Sequence, residues 1–256
     1  MRRGLSRLFR PPTTESTRRH YAELMRDEVR KHHPWGKVAR FSAEKAVRSP
    51  SVRKYFAGKV APFIRSTDRV LDLGCGSGIF LPSLSELCGM LVAVDVSWPF
   101  VRASDTVTAQ FDLRNTTVVQ GQAECLPFGD ASFDVVVVID TLHHLYRLEE
   151  CVHDLQRVLR PGGRLLMFEP NIMNPALLLM CVLDRNEWGA LGLCRKTAYV
   201  DLFESRFHID TVEYNGLLIG PDGPLFRGIA DLLNSTRAQA LLGWLNPKLF
   251  IALTNA

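Results

Sequence analysis

The 256-residue sequence has no apolar run approaching the ~18 residues a helix needs to cross a bilayer. Its richest stretch, Pro175 to Leu183, stops at Asp184 and Arg185. The apolar centre of a secretory leader is also missing. The opening MRRGLSRLFR is Arg-rich, has no acid before Glu15, and sets Leu5, Leu8 and Phe9 at helical spacing. That pattern leaves a mitochondrial address open and argues against secretion. No pair of the six cysteines (75, 88, 125, 151, 181 and 194) is spaced C-x-x-C, and no histidine cluster completes a zinc set. Scattered thiols of this kind point to a reducing, cytoplasmic setting, with the cysteines free and mostly buried and no bound metal. Internal repeats and low-complexity blocks are lacking too.

Apolar residues at 46% and charged residues at 23% suit a folded chain able to bury the core of a doubly covered sheet. Charge is unevenly placed. Residues 1–54 hold 15 Lys and Arg against 5 Asp and Glu, so the body is acidic although the whole chain carries a net +4. A basic arm on an acidic body can meet anionic lipid or nucleic acid, or it can be a solvated lead followed by a surface helix. Pro11-Pro12 and the Thr/Ser-rich stretch after them read as part of that lead. Residues 1–49 are thus expected to form a lead and a cap helix, with Tyr21 to Lys31 helical. Residues 50–256 form the main domain.

Within that domain, strand and helix signals alternate. Ser51 to Ile64 reads as helix, and Arg69 to Leu73 as a short strand ending in glycines. Ile79 to Leu87 resumes helical spacing. Met90 to Val94 is a second strand, Val101 to Phe111 a helix, and Thr116 to Gln120 a third strand. Phe133 to Ile139 (FDVVVVI) is the most strand-like segment, its β-branched run suited to burial on both faces. Leu148 to Leu159 is an amphipathic helix that Pro161-Gly162-Gly163 is expected to end, before a fifth strand at Arg164 to Phe168. This alternation specifies a doubly wound α/β sheet with right-handed crossovers. Asn171 to Lys196 is apolar and helix-like, and Asp210 to Leu218 and Lys248 to Thr254 are late strands.

The chemistry is carried by Val70-Leu71-Asp72-Leu73-Gly74-Cys75-Gly76-Ser77-Gly78. Glycines after a strand let the backbone turn sharply and let a ligand approach without a Cβ in the way. The pattern is D-x-G-x-G-x-G, not the G-x-G-x-x-G of dinucleotide folds. A second strand, Leu91-Val92-Ala93-Val94, ends in Asp95, placed either to take two ribose hydroxyls or to cap the next helix. Val96 then stands where it can pack on a base.

LDLGCGSG, VAVDVS, GQAECLPF, ASFDVVVVIDTLHHL and RVLRPGGRLLMFEP, in that order, resemble the successive motifs of class I S-adenosylmethionine-dependent methyltransferases. The resemblance covers roughly residues 50–170 and is greatest to the small-molecule and quinone-biosynthesis branch. It implies a seven-stranded sheet of order 3-2-1-4-5-7-6 with strand seven antiparallel, and S-adenosyl-L-methionine as cofactor. By resemblance, Asp72, Gly74, Cys75, Gly76 and Gly78 surround the methionine part. Asp95 takes the ribose, Gln122, Ala123 and Glu124 lie by the adenine, and Asp140 and Thr141 close on the sulfur. Gln122 departs from the aspartate often found at its position, although its carbonyl can accept the same bond.

Methyl transfer to a hydroxyl or an acidic carbon calls for a base. His144 and His143, just past strand four, are the candidates; both can equally be packing residues. Glu169 and Asn171, past strand five, fall where such sheets hold ligands, or serve as a surface carboxylate and a helix cap. The segment around Trp188 and the Leu-rich stretch 221–244 either line an acceptor pocket or add core. If they line one, the acceptor is a small apolar or lipid-like molecule. Asp140-Thr141-Leu142-His143 is not an Asn-Pro-Pro-aromatic signature, so protein and nucleic-acid substrates are not expected. The alternative is a cofactor-binding scaffold without transferase activity.

Overall fold

The computed structural model describes residues 12–24, 26, 43–218 and 223–256. Seven strands form one sheet: β1 (Arg69–Leu73), β2 (Met90–Asp95), β3 (Thr116–Gln120), β4 (Phe133–Ile139), β5 (Leu159–Pro170), β6 (Phe207–Asn215) and β7 (Lys248–Asn255). Their order is β3-β2-β1-β4-β5-β7-β6, as the resemblance implies. β1 to β5 pair in parallel, while β7 runs antiparallel between β5 and β6.

The helices are α1 (Thr14–Leu24), α2 (Ala43–Arg48), a mixed helical run α3 (52–63), α4 (Leu81–Ser85), α5 (Trp98–Gln110) and α6 (Leu148–Val158). After β5 come α7 (Pro175–Leu183), α8 (Trp188–Leu193) and α9 (Lys196–Phe203). Finally α10 (Pro224–Leu233) and α11 (Thr236–Leu242) precede β7.

Side chains of a strand point alternately to its two faces, so a doubly covered strand supplies two cores at once. In β4, Val136 and Val138 join one apolar cluster and Val135, Val137 and Ile139 the other. β5 divides likewise, Leu165 and Met167 against Leu166 and Phe168. The first cluster is closed by α6 through Val152, Leu155 and Val158. The second is closed by Phe56 and Val60 of α3 with Leu81 and Leu84 of α4.

Four local expectations change. The N-terminal helix starts at Thr14, not Tyr21, so part of the expected lead is ordered helix packed on α5; residues 25 and 27–31 of the expected helix lie outside the described residues. Pro161-Gly162-Gly163 lies inside β5: the register with β4 jumps between Phe133 and Val135, and Gly162, at φ +71°, carries the bulge. Asn171 to Lys196 is broken rather than continuous, because the Asp184 side chain accepts the Asn186 N–H at 2.9 Å and turns the chain. β6 begins at Phe207 and ends at Asn215, three residues earlier at each end than expected.

Candidate active site

The C-terminal ends of β1, β2 and β4 open onto a cleft of about 1050 Å³, counted out to its mouth, and α1 lies along one side of it. The glycine turn forms its floor. The Gly74 and Cys75 N–H groups donate to the Val94 carbonyl at 2.8 and 3.0 Å, tying the turn to β2. Gly74 sits at φ +76°, and a Cβ there would lie 2.1 Å from Thr141 Oγ1, so the loop after β4 rests directly on it. Gly76, at φ +54°, has nothing within 4 Å of a built Cβ. The turn is open on that side, while the Gly76 carbonyl accepts from Ser104 Oγ at 3.0 Å. Gly78 has a different task from the one expected: it lies off the cleft wall, and its missing Cβ lets the backbone approach Ser104 of α5.

Two carboxylates enter this floor. Asp95 accepts from the Gly76 N–H at 3.0 Å and the Ser97 N–H at 2.8 Å, so it organises the turn as well as facing the cleft. Asp72 is buried, and its Oδ2 has no hydrogen-bond partner among the described residues. Burial raises the Asp72 carboxyl to about 7, with the nearby Asp95 adding to it. Asp95 rises to about 6 for the same first reason, against the pull of its N–H partners. A buried, unpaired acceptor on a cleft wall costs energy unless a ligand donor satisfies it. These groups therefore fit a ligand offering an ammonium and hydroxyls.

Val96, Ala123 and Glu124 line the neighbouring wall, but Gln122 does not; it forms an isolated bridge with Cys125 beyond it. Glu124 also accepts from Thr14 Oγ1 of α1 at 3.4 Å.

The loop after β4 is held by Glu169, which is fully buried. Its Oε1 accepts the Thr141 and Leu142 N–H groups, both at 2.9 Å. Its Oε2 meets His143 Nδ1 at 2.6 Å and the Tyr199 hydroxyl at 3.2 Å. His143 Nε2 reaches Glu187 at 3.2 Å. Burial alone would lower the His143 pKa, yet the two carboxylates outweigh it and raise it well above the usual histidine value. A protonated imidazole with both nitrogens donating cannot act as a base. His143 is also absent from the cleft wall. It braces the loop that presents Asp140, Thr141 and His144.

His144 does line the cleft. Its Nδ1 lies 3.1 Å from the Asn186 carbonyl, which can only accept, so Nδ1 carries the proton. Nε2 is then an acceptor, and the Tyr21 hydroxyl of α1 lies 2.8 Å from it. Asp140, at φ +50°, is paired with the buried Lys248 of β7.

The remaining acceptor-site candidates are elsewhere. Glu169 is engaged as described, and Asn171 donates to the carbonyls of Trp244 and Asn246, both at 2.8 Å. The Trp188 indole N–H lies 3.3 Å from the Val182 carbonyl, and the Arg185 guanidinium covers its ring; neither Asn171 nor Trp188 lies on the cleft wall. Tyr21 and Lys248 are site residues that sequence spacing missed, one from the N-terminal helix and one from the last strand. Folding also brings His143, Glu169 and Cys194 within 4.8 Å, a grouping no local spacing suggests. In that cluster His143 Nδ1 meets Glu169, and the Cys194 thiol lies 3.4 Å from the Tyr199 hydroxyl.

Residues 71–167 match a family described as a methyltransferase domain. Over 152 residues the chain is 31% identical to the uncharacterized methyltransferase YcgJ of Bacillus subtilis (strain 168), covering 54% of this chain and 60% of that protein. Over 153 residues it is 34% identical to the ubiquinone/menaquinone biosynthesis C-methyltransferase UbiE of Pseudomonas paraeruginosa (strain DSM 24068 / PA7), covering 58% and 59%. The chain thus spans about three-fifths of the length of these relatives. A SAM-dependent methyltransferase from Aquifex aeolicus shares the fold, with a TM-score of 0.59 at 17% identity over 84% of this chain and 100% of that one. Strand order, glycine floor and matched segment agree: residues 71–167 match a methyltransferase domain, and the sheet has the fold of the Aquifex methyltransferase.

Proposed function

We propose that this protein binds S-adenosyl-L-methionine in the cleft and transfers its methyl group to a small, apolar acceptor. The observation that carries the reading is the unpaired buried Oδ2 of Asp72 beside Asp95, at a turn left open at the Cβ position of Gly76. Asp72 would hold an ammonium, Asp95 ribose hydroxyls, and Val96 with Ala123 the base. The cofactor supplies an electrophilic methyl on a sulfonium.

The chain's own residues supply alignment and a proton path. Glu169 and His143 fix the loop bearing Thr141 and His144, which limits the freedom of the reacting groups. His144 Nε2 is the base. In the arrangement described, the Tyr21 O–H donates to it, so an acceptor proton passes to the phenol oxygen as the phenol proton passes to Nε2. Phe80, Phe100 and Leu145 make much of the remaining wall apolar, which supports an apolar acceptor. So does the quinone-biosynthesis role in the name of the Pseudomonas relative.

Calorimetry with S-adenosylmethionine, its demethylated product and NAD tests the first half. Binding of either sulfur nucleotide without NAD binding is expected; NAD binding alone would overturn the reading. Labelled methyl transfer across a panel of quinols, phenols and lipid-linked intermediates tests the second half. Binding without any product would favour a scaffold.

A further inference from the structure

Helix α10 is amphipathic, but it is docked the reverse of the usual way. Its polar side faces the body. Asp231 accepts from Lys54 Nζ and from the Tyr55 hydroxyl of α3, and Asn234 Oδ1 accepts the Gly216 N–H at 3.3 Å. Its apolar side chains face outward: Leu225 is 71% exposed and Leu232 62%, with Phe226 and Ile229 nearly half exposed. Only Ala230 of this helix is buried. An amphipathic helix normally buries the other face.

The surface continues beyond it. Leu241 of α11 is 78% exposed, and Trp244 follows it. Asn174, the N-cap of α7, donates to the Leu245 carbonyl, which sets the start of α7 against this turn; α7 exposes Leu179 and Leu183. A patch of this extent on a folded chain marks an interaction surface.

We propose that α10, α11 and α7 form a docking face for an anionic lipid surface. The charge around them selects that occupant. From 221 to 247 the sequence carries Arg227 and Arg237 against Asp222 and Asp231, the latter paired with Lys54; with Lys54 and the exposed Arg53 beside it in sequence, four cations stand against two acids. Aliphatic and aromatic side chains with cations at their margin match the headgroup and acyl boundary of an anionic bilayer. A second copy of this chain fits less well, since a two-fold contact would set the same cationic margin against itself. Pro170 of β5 and Lys248 of β7 are register partners, so the face lies at the sheet end where the cleft opens.

The test is co-sedimentation of the full chain with vesicles, which reads binding whether or not methyl transfer occurs. Wild-type protein is expected to sediment with phosphatidylcholine vesicles containing 30% phosphatidylglycerol, and at least tenfold less with pure phosphatidylcholine. The double variant Leu225→Glu/Leu232→Glu should lose at least tenfold of that binding. Both side chains are exposed, so its melting temperature should stay within a few degrees of wild type. Undiminished sedimentation of the folded double variant, or no wild-type binding at low salt, would overturn the proposal. So would a concentration-dependent dimer, seen by light scattering, that the double variant abolishes; the face would then belong to a second copy.

Discussion

At the scale of single residues, burial of Asp72 and Asp95 costs the empty fold, a cost that the proposed ligand would offset. Between pH ~4 and its raised value of about 7, folded Asp72 retains a proton that the unfolded chain releases. Its contribution to stability therefore falls as pH rises through that window. Asp72→Asn is expected to stabilise ligand-free protein at pH 8 by on the order of 2–4 kcal/mol, at ~1.4 kcal/mol per pKa unit, which thermal denaturation reads as a higher melting temperature. The same substitution should weaken S-adenosylmethionine binding. In wild type, affinity for that cation should fall up to about tenfold per pH unit below about 7, as Asp72 protonates. A flat calorimetric affinity from pH 5.5 to 8 would remove Asp72 from the ammonium site.

Asp95→Ala removes charge-assisted bonds worth about 1.5–3 kcal/mol, so a loss of about 10- to 150-fold in cofactor affinity is expected. It also strips the Gly76 and Ser97 N–H groups of their acceptor. A modest drop in melting temperature should therefore accompany the binding loss. Glu169→Gln is a different kind of change. It leaves protonated His143 facing an uncharged amide on one side with Glu187 still on the other, so the cost falls below the ~3–5 kcal/mol of breaking an isolated buried pair. Thermal denaturation should register that cost whether or not cofactor is present. A Glu169→Gln protein as stable as wild type would mean that the loop after β4 is held by something else.

At the scale of elements, the N-terminal helix decides what kind of site the cleft becomes. Without α1, the cleft is a floor of glycines and acids; with it, Thr14, Thr17 and Tyr21 make a side wall and His144 gains a hydroxyl partner. Tyr21→Phe keeps the ring against Phe100 while removing the hydroxyl of the proposed proton relay. It is expected to lower kcat by about 10²-fold, within the usual range for general acid–base groups, with little change in cofactor affinity. Single-turnover measurement with saturating cofactor checks this. An unchanged rate would leave Tyr21 as a wall residue only.

At the scale of the whole molecule, stability is unevenly spread. β1, β4 and β5 are covered on both faces, whereas α10 buries a single residue and α11 none. Amide exchange follows buried contacts and access to local opening. The slowest exchange is expected in β4 and β5, at the global unfolding limit, and far faster exchange in α10 and α11. Added anionic vesicles should slow α10 and α11 selectively. Exchange mass spectrometry with and without vesicles measures both effects.

The sequence by itself determined the sheet. Runs such as FDVVVVI can be buried only between two layers, and a glycine turn after the first strand has one place in a doubly wound topology. The floor of the site, from Asp72 through Gly76 to Asp95, was legible for the same reason: its residues are local to strand ends. What only the tertiary structure decided were contacts between segments far apart in the chain. His143 and His144 are adjacent in sequence, yet folding turns one to Glu169 as a charged brace and the other to Tyr21, 123 residues away, at the cleft. Asn171 and Trp188 have the composition of a pocket but spend their polar groups on backbone carbonyls. Periodicity marks α10 as amphipathic without saying which side meets the body. Asp231 settles that, because Lys54 and Tyr55 from the opposite end of the chain take its charge and leave the leucines outside.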